Sequence, residues 1–163
     1  MHRDGDVWLA RHVVGSCLPA KRRPRHGDRV SSMTSFDVVL DLSVEDAELA
    51  VRAALAEHGF GVLTEIDMAA AFKAKLGVDR APLKILGACN PGFAYEALLI
   101  DPAASLALPC NVVLEGVGSS TRVAVADPRD LMRDIELSEL AEEVATRLQE
   151  VVATLREISP RLP

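Results

Sequence analysis

Lys84-Ile85-Leu86-Gly87-Ala88-Cys89-Asn90-Pro91 opens the stretch that decides the fold, and Leu108-Pro109-Cys110-Asn111 closes it. The pair Cys-Asn therefore stands at both ends of one short excursion of the chain. Asn90 followed by Pro91 is a typical helix start, because Asn caps free N–H groups and Pro lacks the N–H that would stay unpaired. The segment predicts a strand over residues 83–89, a short helix after it, and a new strand from Cys110.

Strands on both sides of this segment are predicted from the alternation of apolar side chains. Residues 36–42 alternate strictly and residues 60–66 repeat the pattern, which is typical of half-buried strands. Residues 110–115 and 121–126 alternate again around a turn rich in Gly and Ser. Because a glycine turn alone separates the second strand from the helix before it, that strand can return beside the first.

Helices are predicted between these strands, which gives the order β-α-β-α-β-α-β-β-α. Ser43 is a typical N-cap for a helix that ends near Gly59, and residues 68–76 predict a shorter helix. The last helix begins near Ser138 and carries a long apolar stripe. Its members are Leu140, Val144, Leu148, Val151, Val152, Leu155 and Ile158. We expect this stripe to cover one face of the sheet; packing against a second copy of the chain is the alternative.

The length of 163 residues fits one domain and a tail. Residues 1–33 carry a net charge of +4, which leaves −10 for the rest of the chain, and they show no periodic apolar pattern. They are predicted to be a disordered basic leader, followed by a single α+β domain over residues 34–160. Met33 directly precedes the first strand and is a candidate natural start, so whether residues 1–32 are natively translated stays open.

Composition excludes several classes of function. The chain has no apolar run of about 20 residues and no signal peptide, which predicts a cytoplasmic protein without a membrane segment. The acidic body repels nucleic acid and anionic membranes, and aromatics make up 4% of the sequence, too few for stacking bases. Residues 127–134 hold five charged side chains and are predicted to form a solvated loop before the last helix.

Cys89 and Cys110 are the candidates for catalytic chemistry. Cys89 precedes a helix N-terminus, where the positive end of the helix lowers the pKa of a reachable thiol. The alternative is that both cysteines are inert core residues, since free cysteine is among the most buried residue types. We predict no metal site, because the C-x2-C spacing is absent and two cysteines are a poor ligand set for zinc. Three of the four histidines lie in the leader.

Five motifs occur in order along the chain. They are GFGVLTEID at 59–67, KLGV at 75–78, KILGACNP at 84–91, AYEA at 94–97 and LPCNV at 108–112. Together they resemble the bacterial and archaeal family known as domain of unknown function 302, over residues 36–158. The resemblance implies a curved antiparallel sheet backed by helices, and homodimers, but no established reaction. The resemblance implies that the site lies at the positions that match the family's motifs. These positions are Lys84, Gly87, Cys89, Asn90, Pro91, Tyr95, Glu96, Pro109, Cys110 and Asn111.

Three functions compete at this point. The first is a small-molecule-binding module with a groove near residues 84–111, whose ligand-binding residues would be Lys84, Cys89, Asn90, Tyr95, Glu96, Cys110 and Asn111. The second is a thiol-dependent redox or sulfur-handling protein that uses Cys89 and Cys110. The third is a non-catalytic interaction protein in which the Cys-Asn motifs only shape turns. The sequence identifies no cofactor, and it leaves open whether the protein is an enzyme.

Overall fold

The computed structural model describes residues 35–158, so the predictions for residues 1–33 lie outside the described part. Five strands and five α-helices lie in these residues, with two short 3-10 helices at Pro102–Ala107 and Ile135–Leu137. The elements are β1 (Ser35–Leu40), α1 (Val44–Glu57), β2 (Gly61–Asp67), α2 (Met68–Leu76), β3 (Leu83–Cys89), α3 (Pro91–Ile100), β4 (Cys110–Val117), β5 (Ser120–Ala126), α4 (Pro128–Leu131) and α5 (Ser138–Ile158).

The five strands form one open antiparallel sheet in the order β1-β5-β4-β3-β2. The α+β class and the predicted order of elements are confirmed. The strand β2 is an edge strand, and its register with β3 shifts between Val62 and Thr64, which marks a β-bulge. None of the helices described in residues 35–158 is long and apolar enough to cross a membrane.

The expectation that the second strand returns beside the first is wrong, because β1 and β2 lie at opposite edges of the sheet. Because every neighbouring pair of strands is antiparallel, β1 and β2 run in the same direction. Two such strands are joined by a crossover, here the helix α1 on the buried face of the sheet. The strands β3, β4 and β5 then lie between them, so the short turn after α1 does not decide which strand β2 pairs with.

One face of the sheet is buried under α1 and α5. Alternate strand residues supply the sheet side of this core, and both helices pack against them. The sheet side is Val38, Leu40, Leu86, Ala88, Cys110, Val112, Leu114, Val123 and Val125. The predicted stripe of α5 belongs to this core from Val144 to Leu155, whereas Ile158 at the end of the helix is exposed. Covering the sheet is thus confirmed for the long helix.

A smaller core lies beside the main one and positions the site described below. It joins α3, the 3-10 helix Pro102–Ala107 and the start of α5, and its members are Ala97, Ala104, Met132, Leu137, Leu140 and Ala141. The segment before α5 is therefore no solvated loop, because it contains α4 and buries both Asp127 and Met132. Asp127 tolerates burial because Arg129 Nη2 donates to its Oδ2 at 2.7 Å and the Arg129 backbone N–H donates to its Oδ1 at 3.0 Å.

Replacing Leu148 by Ala is expected to lower the free energy of unfolding by about 2–5 kcal/mol. Leu148 is fully buried in the middle of the α5 stripe, so the substitution leaves a cavity under the helix. Urea unfolding followed by circular dichroism measures the loss. The neighbouring exposed Gln149 is the control, and Gln149→Ala should change stability by less than about 0.5 kcal/mol. Equal effects of the two substitutions would contradict the packing of α5.

Candidate functional site

The two Cys-Asn segments lie side by side in the sheet. In the β3–β4 pair, Gly87 is opposite Asn111 and Ala88 is opposite Cys110. Gly87 is required there, because a Cβ atom on it would collide with Thr64 Oγ1 and would stand 2.6 Å from Cγ of Pro109. The absent side chain thus lets the Pro109 ring rest directly on β3. The contact holds the second Cys-Asn segment against the first.

Cys89 and Cys110 are both free thiols and both buried. Burial raises the pKa of the Cys89 thiol above its usual value. Burial, followed by the nearby Cys89, raises the pKa of Cys110 to about 11. Burial thus acts against the lowering of the Cys89 pKa that a helix N-terminus gives to a reachable thiol. For both thiols, burial favours the protonated form.

The thiols line one small cavity of about 20 Å³ between β3, β4, α3 and α5. This volume is close to the 10–15 Å³ or so that a single water molecule needs. Its walls are almost entirely apolar: Phe60, Ala88, Cys89, Asn90, Phe93, Ala94, Ala97, Leu108, Cys110, Met132, Leu140 and Val144. An apolar space of this size holds one atom or ion, not a metabolite.

Asn90 borders the cavity but serves mainly as a helix cap. Its Oδ1 accepts the backbone N–H of Gly92 at 2.9 Å and that of Phe93 at 3.3 Å, as predicted from the Asn-Pro start. Its Nδ2 lies 3.1 Å from the position that a Cβ of Gly59 would occupy. Gly59 has φ +82°, which favours glycine. The Asn90 side chain is therefore held between the first turn of α3 and the backbone at Gly59.

Lys84 lies far from this cavity, at the other end of β3, about 16 Å away along the strand. Its Nζ is 2.7 Å from Oε2 of Glu48 on α1 and 3.1 Å from Oε1 of Glu65 on β2. Arg52 Nη2 contacts the same two carboxylates, at 2.7 Å each. These four side chains, named here the α1–β2 ion network, tie the crossing helix to the edge of the sheet.

The α1–β2 ion network shifts the pKa values of its members. Burial by itself would raise the pKa of Glu48, but hydrogen bonds from Lys84 and Arg52, together with their charges, outweigh burial and lower it. The hydrogen bonds from Lys84 to Glu48 and Glu65 raise the pKa of Lys84. The predicted ligand-binding residue Lys84 thus pairs with two carboxylates of this network and does not line the cysteine cavity.

The remaining predicted site residues point elsewhere. Tyr95 is 68% exposed on α3, and Glu96 beside it is exposed as well. Asn111 is exposed, and by strand parity it lies on the face opposite to Cys110. Of the seven residues, the structure brings together Cys89, Asn90 and Cys110 but not Lys84, Tyr95, Glu96 or Asn111.

Met132 was missed by the sequence analysis. It lines the cysteine cavity, and it also borders two surface grooves of about 250 and 340 Å³. The side chain is thus the common wall between the thiols and the outside. Met132 stands with Leu131 inside a segment that is otherwise rich in charged residues, so no apolar periodicity pointed to it. Among residues 35–158, no group of three or more His, Cys, Asp and Glu side chains is arranged to hold a metal ion.

Comparison with known proteins identifies the family of this chain. The model of the family described as "Domain of unknown function DUF302" matches residues 36–155. The chain belongs to this family. A crystal structure of an uncharacterized conserved DUF302 protein from Bacillus stearothermophilus is similar, with a TM-score of 0.69 and 25% sequence identity. The similarity covers 75% of this chain and 98% of the Bacillus chain. No curated protein matches the sequence.

The substitution Gly87→Ala is expected to destabilise this DUF302 domain by about 1–3 kcal/mol, because the added methyl group forces Pro109 or Thr64 away from β3. Thermal or urea unfolding measures the loss. Gly61→Ala is the matched control on the adjacent strand, since a Cβ at Gly61 would approach no atom closer than the Cys89 carbonyl oxygen at 4.0 Å. A neutral Gly87→Ala variant would show that the two segments are not in tight contact.

The stability contributed by Glu48 is expected to depend on pH. Because its pKa is lowered in the folded state, the contribution is present above the unfolded pKa and disappears as the pH falls through the folded pKa. The urea midpoint of the unsubstituted protein should therefore fall more between pH 6 and 3 than that of Glu48→Gln. Glu57→Gln, an exposed position on the same helix, should follow the unsubstituted protein. Parallel curves for all three proteins would contradict the α1–β2 ion network.

Proposed function

We propose that this DUF302 domain is a binding module for a small, mostly apolar ligand that occupies the first of the two grooves at Met132. The observation that carries the proposal is the lining of this groove, which consists mainly of apolar side chains of the segment 101–107 and of residues 131–137. Grooves of roughly 300 Å³ are at the lower end of ligand sites in proteins.

The flexibility of Met132 supports this location. Methionine is unbranched and adapts its shape to an irregular space, so it is a suitable wall for a site that must open. Behind it lies the cysteine cavity, which Met132 also lines. The location also agrees with a groove near residues 84–111, since Asp101, Ala103 and Leu106 line one side of it.

Thiol chemistry is the weaker candidate. A nucleophilic cysteine needs an accessible thiolate, and burial raises the pKa of both thiols instead. Two free, buried cysteines are nevertheless typical of a reducing compartment, so we place the protein in the cytoplasm.

Indole is a suitable probe, because it is small, apolar and soluble at millimolar concentration. In two-dimensional amide NMR of the full chain, indole should shift the resonances of residues 101–107 and 131–138, while those of β1 stay unchanged. Ala103 is exposed on the rim of the first groove, so Ala103→Trp should fill that groove and abolish the shifts. Leu49→Trp on the exposed face of α1 is the matched control and should leave them intact.

Shifts that are absent, or that persist in Ala103→Trp, would contradict ligand binding at Met132. Shifts that spread over the whole sheet would indicate unfolding and would contradict a defined site equally.

A second proposal is that two copies of the chain pair through the outer face of the sheet. This face exposes Val39, Ile66 and Val117. It also carries both signs of charge, since Arg122 pairs with Asp37 and approaches Glu115. A surface with apolar centres and both charges is suited to meet its own copy across a two-fold axis.

Analytical ultracentrifugation of the full chain should therefore give a dimer, and the double substitution Val39→Glu with Val117→Glu should give a folded monomer. Leu49→Glu, which adds a charge on α1 instead, should remain a dimer. A monomeric unsubstituted protein, or a dimer that survives the double substitution, would contradict this interface.

A further inference from the structure

Three sulfur-bearing side chains line the cysteine cavity. Cys89 and Cys110 come from the ends of β3 and β4, and Met132 comes from the segment before α5. All three are buried, with 9%, 3% and 6% of their surface exposed, and both thiols are free. The remaining lining is apolar apart from Asn90, whose Oδ1 is engaged with the helix backbone.

The size of the cavity restricts what it can hold. About 20 Å³ is enough for one atom or ion. A water molecule there would need two to four polar partners, which these walls do not provide. A cation with a preference for sulfur fits both the volume and the chemistry of the lining.

The sulfur ligands of this cavity distinguish Cu(I) from Zn²⁺. Thiolate and thioether sulfur are soft ligands that select Cu(I), whereas structural zinc takes four ligands from Cys, His and carboxylate side chains. Such a set is absent from residues 35–158. We propose that Cys89, Cys110 and Met132 bind one Cu(I) ion in this cavity. The ion goes beyond the proposed function, because it occupies the inner cavity and not the grooves.

When Cu(I) binds, it replaces the thiol protons, and neither copper nor sulfur changes its oxidation state. One Cu(I) ion replaces the protons of both thiols, two protons leave to solvent, and Met132 adds a neutral thioether. The resulting site carries one net negative charge. The N-terminus of α3 begins directly after Cys89, with Asn90 as its cap, and its positive end stabilises that charge. Met132 borders both surface grooves, so the ion enters past a flexible side chain.

The test uses the full chain with Cys17, the third cysteine, replaced by Ser in every variant. Under anaerobic conditions, the protein competes for Cu(I) with the colorimetric chelator bathocuproine disulfonate. We expect one equivalent of bound copper. Cys89→Ser and Cys110→Ser should each weaken binding by at least about 100-fold, and Met132→Leu, which keeps the volume without the sulfur, by about 10-fold. Zn²⁺ added to the same protein should not bind at this site.

Copper X-ray absorption on the Cys17→Ser protein keeps the test decisive if a cysteine variant fails to fold. A first shell of three sulfur atoms supports the site. A shell of nitrogen or oxygen, or binding that is unchanged in Met132→Leu and both cysteine variants, overturns it. The indole experiment is independent, because Ala103→Trp blocks the groove and leaves the three sulfur residues in place.

Discussion

The burial of one face of an open sheet beneath two helices is the constraint on which the rest of this structure depends. The fully buried leucines Leu40, Leu114 and Leu148 come from β1, β4 and α5, and each contributes about 1.5–3 kcal/mol of hydrophobic stabilisation. Helix α1 connects β1 to β2 on the buried face, and β3, β4 and β5 lie between these two edge strands. The α1–β2 ion network ties Glu48 and Arg52 of this helix to β2 and β3.

The Cys-Asn motifs are a folding device before they are anything else. Asn90 caps α3, and the Pro109 ring rests on β3 where Gly87 has no side chain. These contacts bring two distant segments into adjacent strands and enclose the cysteine cavity between them.

Local patterns in the sequence predicted much of this fold. The strands near residues 36–40 and 61–66, the cap at Ser43 and the stripe of α5 depend on neighbours within a few residues, and the structure confirms them. The half-burial predicted for the second strand is wrong, because β2 lies at the edge of the sheet and its residues 63–67 are exposed. The site depended on distant contacts and was predicted only in part. Lys84 found its partners 36 and 19 residues away, and spacing along the chain cannot show such a network. Met132 was hidden in a charged segment because its burial results from α3 and α5 meeting around it.

The β-bulge of β2 has a consequence for how the protein behaves in a crowded solution. An edge strand offers unpaired N–H and C=O groups on which another chain can build, and regular flat edges promote such addition. The bulge between Val62 and Thr64 breaks this regularity, and the charged residues Glu65 and Asp67 follow it in the same strand. Strand β2 is thereby a poor template for intermolecular β-sheet, which protects the protein from fibrous aggregation at that edge.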